Sequence, residues 1–538
     1  MRPGLAFLLA FVVLFPATLR RDLWSPDEQR HAEVGRTMLA TGDWVLPHLE
    51  RTIYPDKPAP PFWAIGGAMR LFGTTEWAAR LPFVLAAGGT LAALAGIARL
   101  LGLSGPTTLL TALMLLTSYR FAWLGQRVSL DVMLTCFSTL AIVGWVRQAR
   151  GIGRDLANGA LFFGAAALAV AAKGPLGFLV PVVTAVVHAL LTGAGRRLVR
   201  PGFLLPAGLF VALTAAWLVP SCLAGGEAYT RELLLEQSAG RVFHAWNHER
   251  PPWYYLGKLP LEFMPWTPVA LLGLWASLRR RRSRGARAGA PVAGPGVDRL
   301  VLAWFGPMFV FLSIVESKRG NYLLPLYPAL ALYASVTVTR LLGGAAAPLR
   351  RVALGLGGLF SLIGVAILVA PFLVEIDGLE APSLAVGAVT VGAAFLLGAG
   401  LCLARARSDR LRPAFVGLAA GMALALPAAG LLVLPEIDAL KSPRPVAEAL
   451  AKEAHGAPLE VPFLDVRTEE YSFYSGLPCR EVERDEFRRL LDEPTVRLAV
   501  MEAGELKKVE LPPGAEVVLR RRVSDDEIVL VRLPRDGT

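Results

Sequence analysis

The sequence has few cysteines and few charged residues for its length. Of its 538 residues, 4 are cysteine and 18% are Asp, Glu, Lys or Arg, whereas 54% are hydrophobic. So few scattered cysteines exclude a disulfide framework. Disordered chains are poor in apolar residues, so the composition excludes disorder. Soluble domains carry about 25% charged residues, so the composition also argues against a soluble domain. It is typical of a polytopic membrane protein.

Several sequence patterns are also absent. The chain has no glycine-rich phosphate loop and no Cys-x-x-Cys pair, so we expect no nucleotide cofactor. No repeat of about 20–50 residues is visible, which excludes a solenoid. The net charge of +12 would suggest a nucleic-acid partner in a soluble chain, but arginine-rich loops between membrane helices explain it more simply. No nucleic-acid partner is therefore expected.

Apolar runs divide most of the chain into candidate membrane helices. A spanning helix needs about 20 mostly apolar residues, because only an internally hydrogen-bonded backbone is stable in hydrocarbon. These runs predict an all-α polytopic membrane domain over residues 1–434, with about 13 transmembrane helices. The runs lie near residues 3–19, 80–102, 106–124, 130–147, 157–172, 175–192, 202–222, 257–278, 300–315, 322–340, 352–374, 383–404 and 412–434.

The arginines indicate how the chain is oriented. With the N-terminus in the cytoplasm, five of the loops predicted to be cytoplasmic are rich in arginine, as the positive-inside rule requires. The first loop (residues 20–79) and the tail after residue 434 then lie on the outer side. Arg20 and Arg21 are exceptions; a cleaved signal peptide is the alternative there, although no A-x-A site follows the first apolar run. The arginine-rich loops lie near residues 147–154, 196–200, 279–287, 350–351 and 405–412.

Residues 435–538 form the second predicted unit. About a hundred residues are enough for a small domain. The apolar pattern predicts a small α/β domain on the outer side, because strand-like segments alternate with a helical one. The predicted strands are 459–466, 496–501, 515–519 and 527–533, and the predicted short helix is 485–491.

The first loop opens with the start signal of a helix. Ser25 is predicted to cap this helix, Pro26 suits its first position and Glu28 completes a capping box. The apolar face that follows suits a juxtamembrane helix on the outer surface. Asp27 therefore has two interpretations: an acid that stabilises the helix N-terminus, or a catalytic group.

Four motifs near the first loop carry a resemblance to a known family. They are W-S-P-D-E-x-R-x-A-E from residue 24, G-D-W-V-x-P from residue 42, Y-x-D-K-P-x-x-P-x-W from residue 54 and E-W-A-A-R-L-P from residue 76. With later stretches at 127–131, 172–175, 247–255 and 317–322, the sequence resembles the bacterial GT-C glycosyltransferases that use polyprenyl-phosphate sugars. It is most similar to the aminoarabinose lipid A transferase branch, and the protein O-mannosyltransferases are more distant. The family usually has Glu-Lys-Pro-Pro where this chain has Asp56-Lys57-Pro58-Ala59.

The resemblance implies a GT-C fold and an enzyme of the bacterial inner membrane. Such an enzyme moves a sugar from a polyprenyl-phosphate donor to a lipid A-type or other envelope acceptor, on the periplasmic face and with inversion. The reaction requires a carboxylate to take the acceptor's proton and cations to neutralise the departing phosphate. The resemblance assigns Asp27 and Asp131 to the catalytic site, with Asp27 as the base. The alternative for Asp131 is an interfacial helix cap after Ser129.

Several cations are predicted on the outer side, where the positive-inside rule disfavours them. Cations in such places indicate an anionic ligand, and Lys57, followed by Lys318, is the first candidate for the donor phosphate. The alternative for each is a side chain that extends to lipid headgroups. Arg80 is a further phosphate-binding candidate, or else it holds the acidic loop in place. The outer cations are Lys57, Lys173, Arg250, Lys318 and Arg319.

The resemblance also implies a divalent metal, zinc or magnesium, beside the lipid phosphate. Asp56 and His248 are at the corresponding positions, and His244 is an alternative ligand. The other interpretation is a histidine that only donates or accepts hydrogen bonds.

Three other functions fit parts of the sequence. A flippase or transporter of a lipid-linked saccharide keeps charged or broken-helix sites near the bilayer midplane, whereas the polar motifs here lie in loops. A protein O-glycosyltransferase of the same superfamily would use the same kind of donor. An adhesion or scaffold module built on the tail leaves the charges of the first loop unexplained. The sequence does not specify the sugar or the acceptor.

Overall fold

The computed structural model is mostly α-helical, with one small mixed sheet near the C-terminus. It describes residues 1–25, 27–240, 250–282, 295–344, 346–373, 381–455, 460–493 and 495–534.

The helices follow one another with short connections. In chain order they are α1 (Pro3–Leu14), α2 (Asp27–Thr41), α3 (Pro60–Phe72), α4 (Glu76–Leu100), α5 (Gly105–Leu116), α6 (Tyr119–Leu124), α7 (Leu130–Arg150), α8 (Asp155–Lys173), α9 (Leu176–Thr192), α10 (Gly195–Leu198), α11 (Pro201–Leu204), α12 (Ala207–Arg231), α13 (Tyr254–Glu262), α14 (Thr267–Arg282), α15 (Pro295–Ile314), α16 (Tyr327–Leu342), α17 (Ala346–Leu373), α18 (Ala381–Arg407), α19 (Leu411–Leu432), α20 (Leu434–Lys441), α21 (Arg444–Glu453), α22 (Glu469–Ser475) and α23 (Arg484–Leu491).

Within the described ranges, 9 helices are long and apolar enough to cross a membrane. Three shorter apolar helices accompany them: Pro3–Thr18, Gly105–Leu116 and Leu176–Thr192. Every predicted apolar run coincides with a helix, so the all-α prediction for this region is confirmed. The run 257–278 is divided between α13 and α14. Pro265 lies in the connection, where its missing N–H costs no helical hydrogen bond.

Small residues allow the last membrane helices to pack closely. A Cβ atom built on Gly421 of α19 would lie 2.5 Å from the Cα of Gly398 in α18. A Cβ built on Gly430 would lie 2.3 Å from the Cα of Ala17, which follows α1 in the chain. Glycine is therefore required wherever these backbones touch. The second contact brings the end of the membrane region against its beginning.

The first loop contains α2, a two-stranded hairpin and α3. The hairpin pairs β1 (His48–Leu49) with β2 (Thr52–Ile53). The predicted helix is confirmed, and the predicted capping box stays a prediction. The Ser25 hydroxyl donates to the carboxylate of Glu470, and Glu28 accepts from the backbone N–H of Trp24 at 3.3 Å. Pro26 lies outside the described residues.

The C-terminal sheet has five strands in the order β4-β3-β5-β7-β6. β3 is parallel to β4 and β5, and β7 is antiparallel to β5 and β6. The predicted α/β character is confirmed, and helix 485–491 corresponds to α23. The short strand β4 was not predicted, because three residues are too few to show an alternating pattern. The strands are β3 (Val461–Leu464), β4 (Cys479–Glu481), β5 (Leu498–Glu502), β6 (Glu516–Val523) and β7 (Asp526–Arg532).

The C-terminal segments pack directly on the start of the first loop. The Trp24 indole N–H donates to Asp438 Oδ1 at 2.5 Å, and the Asp22 backbone N–H donates to Asp438 Oδ2 at 2.9 Å. The Leu23 backbone N–H donates to the Tyr474 hydroxyl at 2.7 Å. Residues more than 400 positions apart in the chain therefore fix the geometry of the first loop. The predicted boundary between residues 434 and 435 stays a prediction.

Candidate active site

A cavity of about 620 Å³ lies between the first loop and the ends of several membrane helices. The start of α2 and the turn before α3 form one wall. The segment from α6 to the start of α7, the end of α8, the segment after α12 with Glu232 and Glu236, and the turn after α15 form the others. Its charged lining residues include Asp27, Arg30, Asp56, Lys57, Arg127, Asp131, Lys173 and Arg319.

The structure brings Asp27 and Asp131 into the wall of the same cavity. Asp27 is the first residue of α2, and Asp131 lies in the first turn of α7. Both carboxylates therefore lie at the positive end of a helix dipole. Asp131 is 5% exposed, and Lys173 at the end of α8 places its Nζ 2.5 Å from Asp131 Oδ1. An acid paired in this way faces the cavity without the cost of an isolated charge in lipid.

The surroundings of Asp27 keep its carboxylate ionised. Burial alone would raise the pKa of Asp27, but the surrounding cations outweigh burial and lower it below its usual value. Arg319 contributes through Nη1, which lies 3.9 Å from Asp27 Oδ2. Arg30 and Lys173 contribute at longer range. Burial also lowers the pKa of His31 to about 3, so this ring is neutral at physiological pH.

Two of the predicted phosphate-binding lysines line the cavity. Lys57 lies in the turn before α3, where its Nζ donates to the backbone carbonyl of Asp56 at 2.9 Å. Lys173 places its Nζ 4.8 Å from the centre of the Tyr322 ring, a distance at which cation–π attraction acts. These placements put both ammonium groups where an anionic ligand in the cavity could meet them. Their roles stay predictions.

Arg80 lies away from the cavity, in a network of contacts with the first loop. Its guanidinium is fully buried and is absent from the described cavity lining. Its Nε lies 2.9 Å from Glu28 Oε1, and its Nη atoms donate to the backbone carbonyls of Arg21 and Asp22 at 2.5 and 2.6 Å. These contacts hold the chain before α2 and the first turn of α2. Arg80 therefore stabilises the acidic loop, which was the alternative, and its predicted role in binding phosphate stays a prediction.

Lys318 and Arg250 also lie elsewhere than predicted. Neither is among the described residues of the cavity wall. Lys318 is 3% exposed, and its Nζ donates to the backbone carbonyl of Arg250 at 2.8 Å. The ammonium thus joins the segment at residue 250 to the segment at residue 318. The next residue, Arg319, is the one that reaches the cavity.

Several lining residues were not predicted. Arg30 belongs to the first quoted motif, and Arg127 begins the later stretch 127–131, but neither was singled out. Arg127 lies 3.2 Å from Glu28 Oε2 through its Nε and 4.8 Å from the centre of the Trp123 ring. Their position within the motifs indicates that Arg30 and Arg127 lie near the site. The sequence does not show which side chains of a motif point into the cavity.

Of the two predicted metal ligands, Asp56 lies within the described residues and His248 does not. Asp56 lines the cavity beside Lys57, whereas His248 and His244 lie outside the described residues. Across the described ranges, no group of three or more His, Cys, Asp or Glu side chains is arranged to hold a metal ion. Asp56 is a suitable carboxylate donor for one of the two predicted ligand positions. The metal stays a prediction.

The N-terminal part of the chain matches a known protein family. Residues 4–234 match the model of the dolichyl-phosphate-mannose-protein mannosyltransferase family. An undecaprenyl phosphate-alpha-4-amino-4-deoxy-L-arabinose arabinosyl transferase of Edwardsiella ictaluri (strain 93-146) is 29% identical over 365 residues, or 66% of this chain and 63% of the relative. The protein of the same name from Aeromonas salmonicida (strain A449) is 30% identical over 368 residues, or 68% of this chain. The match spans 65% of that relative's length, so both alignments cover less than two thirds of the relatives.

The solved structure of ArnT from Cupriavidus metallidurans bound to undecaprenyl phosphate has a similar fold. The TM-score is 0.78 at 22% identity, and the match covers 98% of this chain and 97% of that one. The fold is that of a polytopic membrane protein of the GT-C type, with a cavity at the helix ends. Residues 4–234 carry the protein mannosyltransferase family domain, and the chain resembles the aminoarabinose transferases of that kind. The resemblance inferred from the first-loop motifs is confirmed.

Proposed function

We propose that the chain is a glycosyltransferase that moves a sugar from a polyprenyl-phosphate donor to a lipid A-type or other envelope acceptor. The observation that carries the proposal is one cavity, at the ends of membrane helices, lined by Asp27 and Asp131 together with Lys57, Lys173 and Arg319. The names of the relatives support a donor carried on undecaprenyl phosphate. A lipid-linked donor reaches such a cavity from the membrane without leaving it.

The proposed reaction is a direct displacement at the anomeric carbon. The acceptor oxygen forms a bond to that carbon while the bond to the phosphate oxygen breaks, and the electron pair leaves with the phosphate. Asp27, ionised by its surroundings, takes the acceptor's proton. Lys57 and the neighbouring cations neutralise the departing phosphate. One displacement inverts the anomeric configuration.

Asp131 has a supporting role in this proposal. Its carboxylate holds Lys173 in the cavity wall at 2.5 Å, so the ammonium stays directed at the reacting groups. A divalent metal held by Asp56 and His248 would add positive charge beside the phosphate when bound.

The proposed localisation is the bacterial inner membrane, with the N-terminus in the cytoplasm. The cavity and the C-terminal unit then lie in the periplasm. The alternation of arginine-rich loops supports this orientation.

The test is sugar transfer by the purified protein in proteoliposomes, with undecaprenyl-phosphate-linked pentose and hexose donors and with lipid A as acceptor. Mass spectrometry detects the glycosylated acceptor. We expect Asp27→Asn to lower kcat by about a hundredfold or more, because general-base contributions are of that order. Asp155→Asn is the matched control, since Asp155 also begins a helix and pairs only with Arg200 among the described contacts.

Three outcomes separate the possible functions. Loss of transfer in Asp27→Asn alone supports the proposal. Equal losses in both variants would mean that Asp27 serves only the helix end. Movement of the intact donor across the membrane without any glycosylated product would favour the flippase.

A further inference from the structure

The helix α22 of the C-terminal unit reaches the cavity wall through Arg30. Arg30 lies on α2, one turn after Asp27, and lines the cavity. Its Nε and Nη2 both donate to Oε1 of Glu469, at 3.1 and 2.8 Å. The side chains are 28% and 9% exposed, respectively. A partly buried cation of the cavity is thus held by a residue 439 positions later in the chain.

Neighbouring residues of α22 contact the first loop on both sides of Asp27. Glu470 accepts a hydrogen bond from the hydroxyl of Ser25, which is also a cavity residue. The Ser472 hydroxyl donates to Oε1 of Glu50 in the hairpin at 2.8 Å. These contacts fix α22 against the loop independently of the Arg30–Glu469 pair. Loss of that pair alone therefore leaves the docking of α22 in place.

We propose that Glu469 is a positioning residue of the active site, which holds the guanidinium of Arg30 away from the Asp27 carboxylate. Residues three apart on a helix are neighbours on its surface, so Arg30 and Asp27 can pair with each other. Glu469 competes for Arg30 and wins through two hydrogen bonds to a well-buried carboxylate. Asp27 is then left able to take a proton from the acceptor. This inference rests on the proposed function.

The charges that face Asp27 give the direction in which its pKa should change when the Glu469 charge is removed. They are Arg30 on α2, Arg319 on the turn after α15, and Lys173 at the end of α8. His31 on α2 also faces Asp27, but its ring is neutral because burial lowers its pKa to about 3. Without the Glu469 charge, Arg30 turns toward Asp27 and stabilises its ionised form further. The pKa of Asp27 then falls below its already lowered value, and the carboxylate becomes a weaker base.

The test compares Glu469→Gln, Glu469→Asp and Glu505→Gln in the full-length protein in proteoliposomes. Glu505 is the matched control, because it is similarly buried and its partners Arg484 and Lys508 both lie within the C-terminal unit. We expect Glu469→Gln to lower kcat by about tenfold to a hundredfold, the scale of a misplaced group near the reacting centre, with the donor KM little changed. The acid limb of the kcat profile should move to lower pH. Glu469→Asp should restore part of kcat, and Glu505→Gln should resemble the unchanged protein.

Other outcomes overturn the inference. Equal effects of Glu469→Gln and Glu505→Gln, or a loss of kcat that follows thermal stability with an unmoved pH profile, would show a purely structural role. In either case the unchanged protein still transfers sugar, so the proposed function stands. If the unchanged protein transfers no sugar from any donor, the proposed function fails and this inference fails with it.

Discussion

Glu28 lies at the centre of a buried charge cluster beneath the first loop. It is 1% exposed and lies 2.9 Å from Arg80, 3.2 Å from Arg127 and 3.8 Å from Arg21. Burial alone would raise the pKa of Glu28, but the three guanidinium groups hold it well below its usual range. One carboxylate thus joins the chain before α2 to α4 and to the cavity wall. The cluster sets the position of Asp27, the residue that precedes Glu28.

Replacing Glu28 by Gln should strongly destabilise the protein. The change leaves three arginines without their shared counter-charge, and breaking a buried ion pair typically costs about 3–5 kcal/mol. Thermal unfolding in detergent measures the effect. Glu448→Gln is the control, because Glu448 is 58% exposed in its pair with Arg444, and exposed pairs contribute about 1 kcal/mol or less. Equal shifts in the two variants would contradict the central role of Glu28.

At the scale of single residues, the sequence identified which side chains carry charge but not where those side chains point. Asp27, Asp131, Lys57 and Lys173 line the cavity as the motifs suggested. Arg80 does not, because its partner Glu28 lies 52 positions earlier and no local pattern reveals that contact.

Two elements, α18 and α19, are held together by glycine. Gly398→Ala should destabilise the pair, because the new Cβ would lie 2.8 Å from the Cα of Gly421 and the backbones would have to separate. Overpacking of this kind costs about 1–3 kcal/mol. Gly400→Ala on the same helix is the control, since nothing lies within 4 Å of its Cβ position. The unfolding temperature in detergent distinguishes them, and equal values would argue against close helix contact.

The contact between the hairpin and α22 should depend on pH near neutrality. Burial raises the pKa of Glu50 to about 7. The hydrogen bond from Ser472 opposes this rise, and the nearby charges of Glu33 and Glu469 add to it. A carboxyl with a raised pKa favours the folded state fully below its unfolded pKa, and this contribution is lost as pH rises through about 7. Stability should therefore fall between mildly acidic and mildly alkaline pH.

Glu50→Gln tests this dependence. The amide does not ionise, so the unfolding temperature should vary less with pH than in the unchanged protein. Glu516→Gln is the control, because Glu516 is 67% exposed. An unchanged slope in Glu50→Gln would locate the pH dependence elsewhere.

Elements were predictable where the sequence pattern is long. Each apolar run corresponds to one helix or to two consecutive helices, and the predicted strands of the tail are present. The pattern failed where an element is short or is interrupted by tertiary contacts, as at β4 and between α13 and α14. The contact between Ser25 and Glu470 was also unpredictable, because the two residues lie 445 positions apart.

For the whole molecule, the orientation in the membrane is the feature to test. In a protein whose native cysteines are replaced by serine, Asp485→Cys and Ser408→Cys place single thiols at exposed sites of the C-terminal unit and of the connection between α18 and α19. Asp485 is 93% exposed. The positive-inside rule puts the arginines around Ser408 in the cytoplasm. A membrane-impermeant maleimide should therefore label intact spheroplasts at 485 and only permeabilised cells at 408. The reverse pattern would invert the topology.

The long separation between contacting residues also bears on biosynthesis. Arg30 emerges from the ribosome 439 residues before Glu469, and at about 5–20 residues per second that interval is roughly 20–90 s. During that time α22 has not been synthesised, so the first loop lacks its contacts with this helix. The first loop can therefore reach its final geometry only after residue 469 has been synthesised.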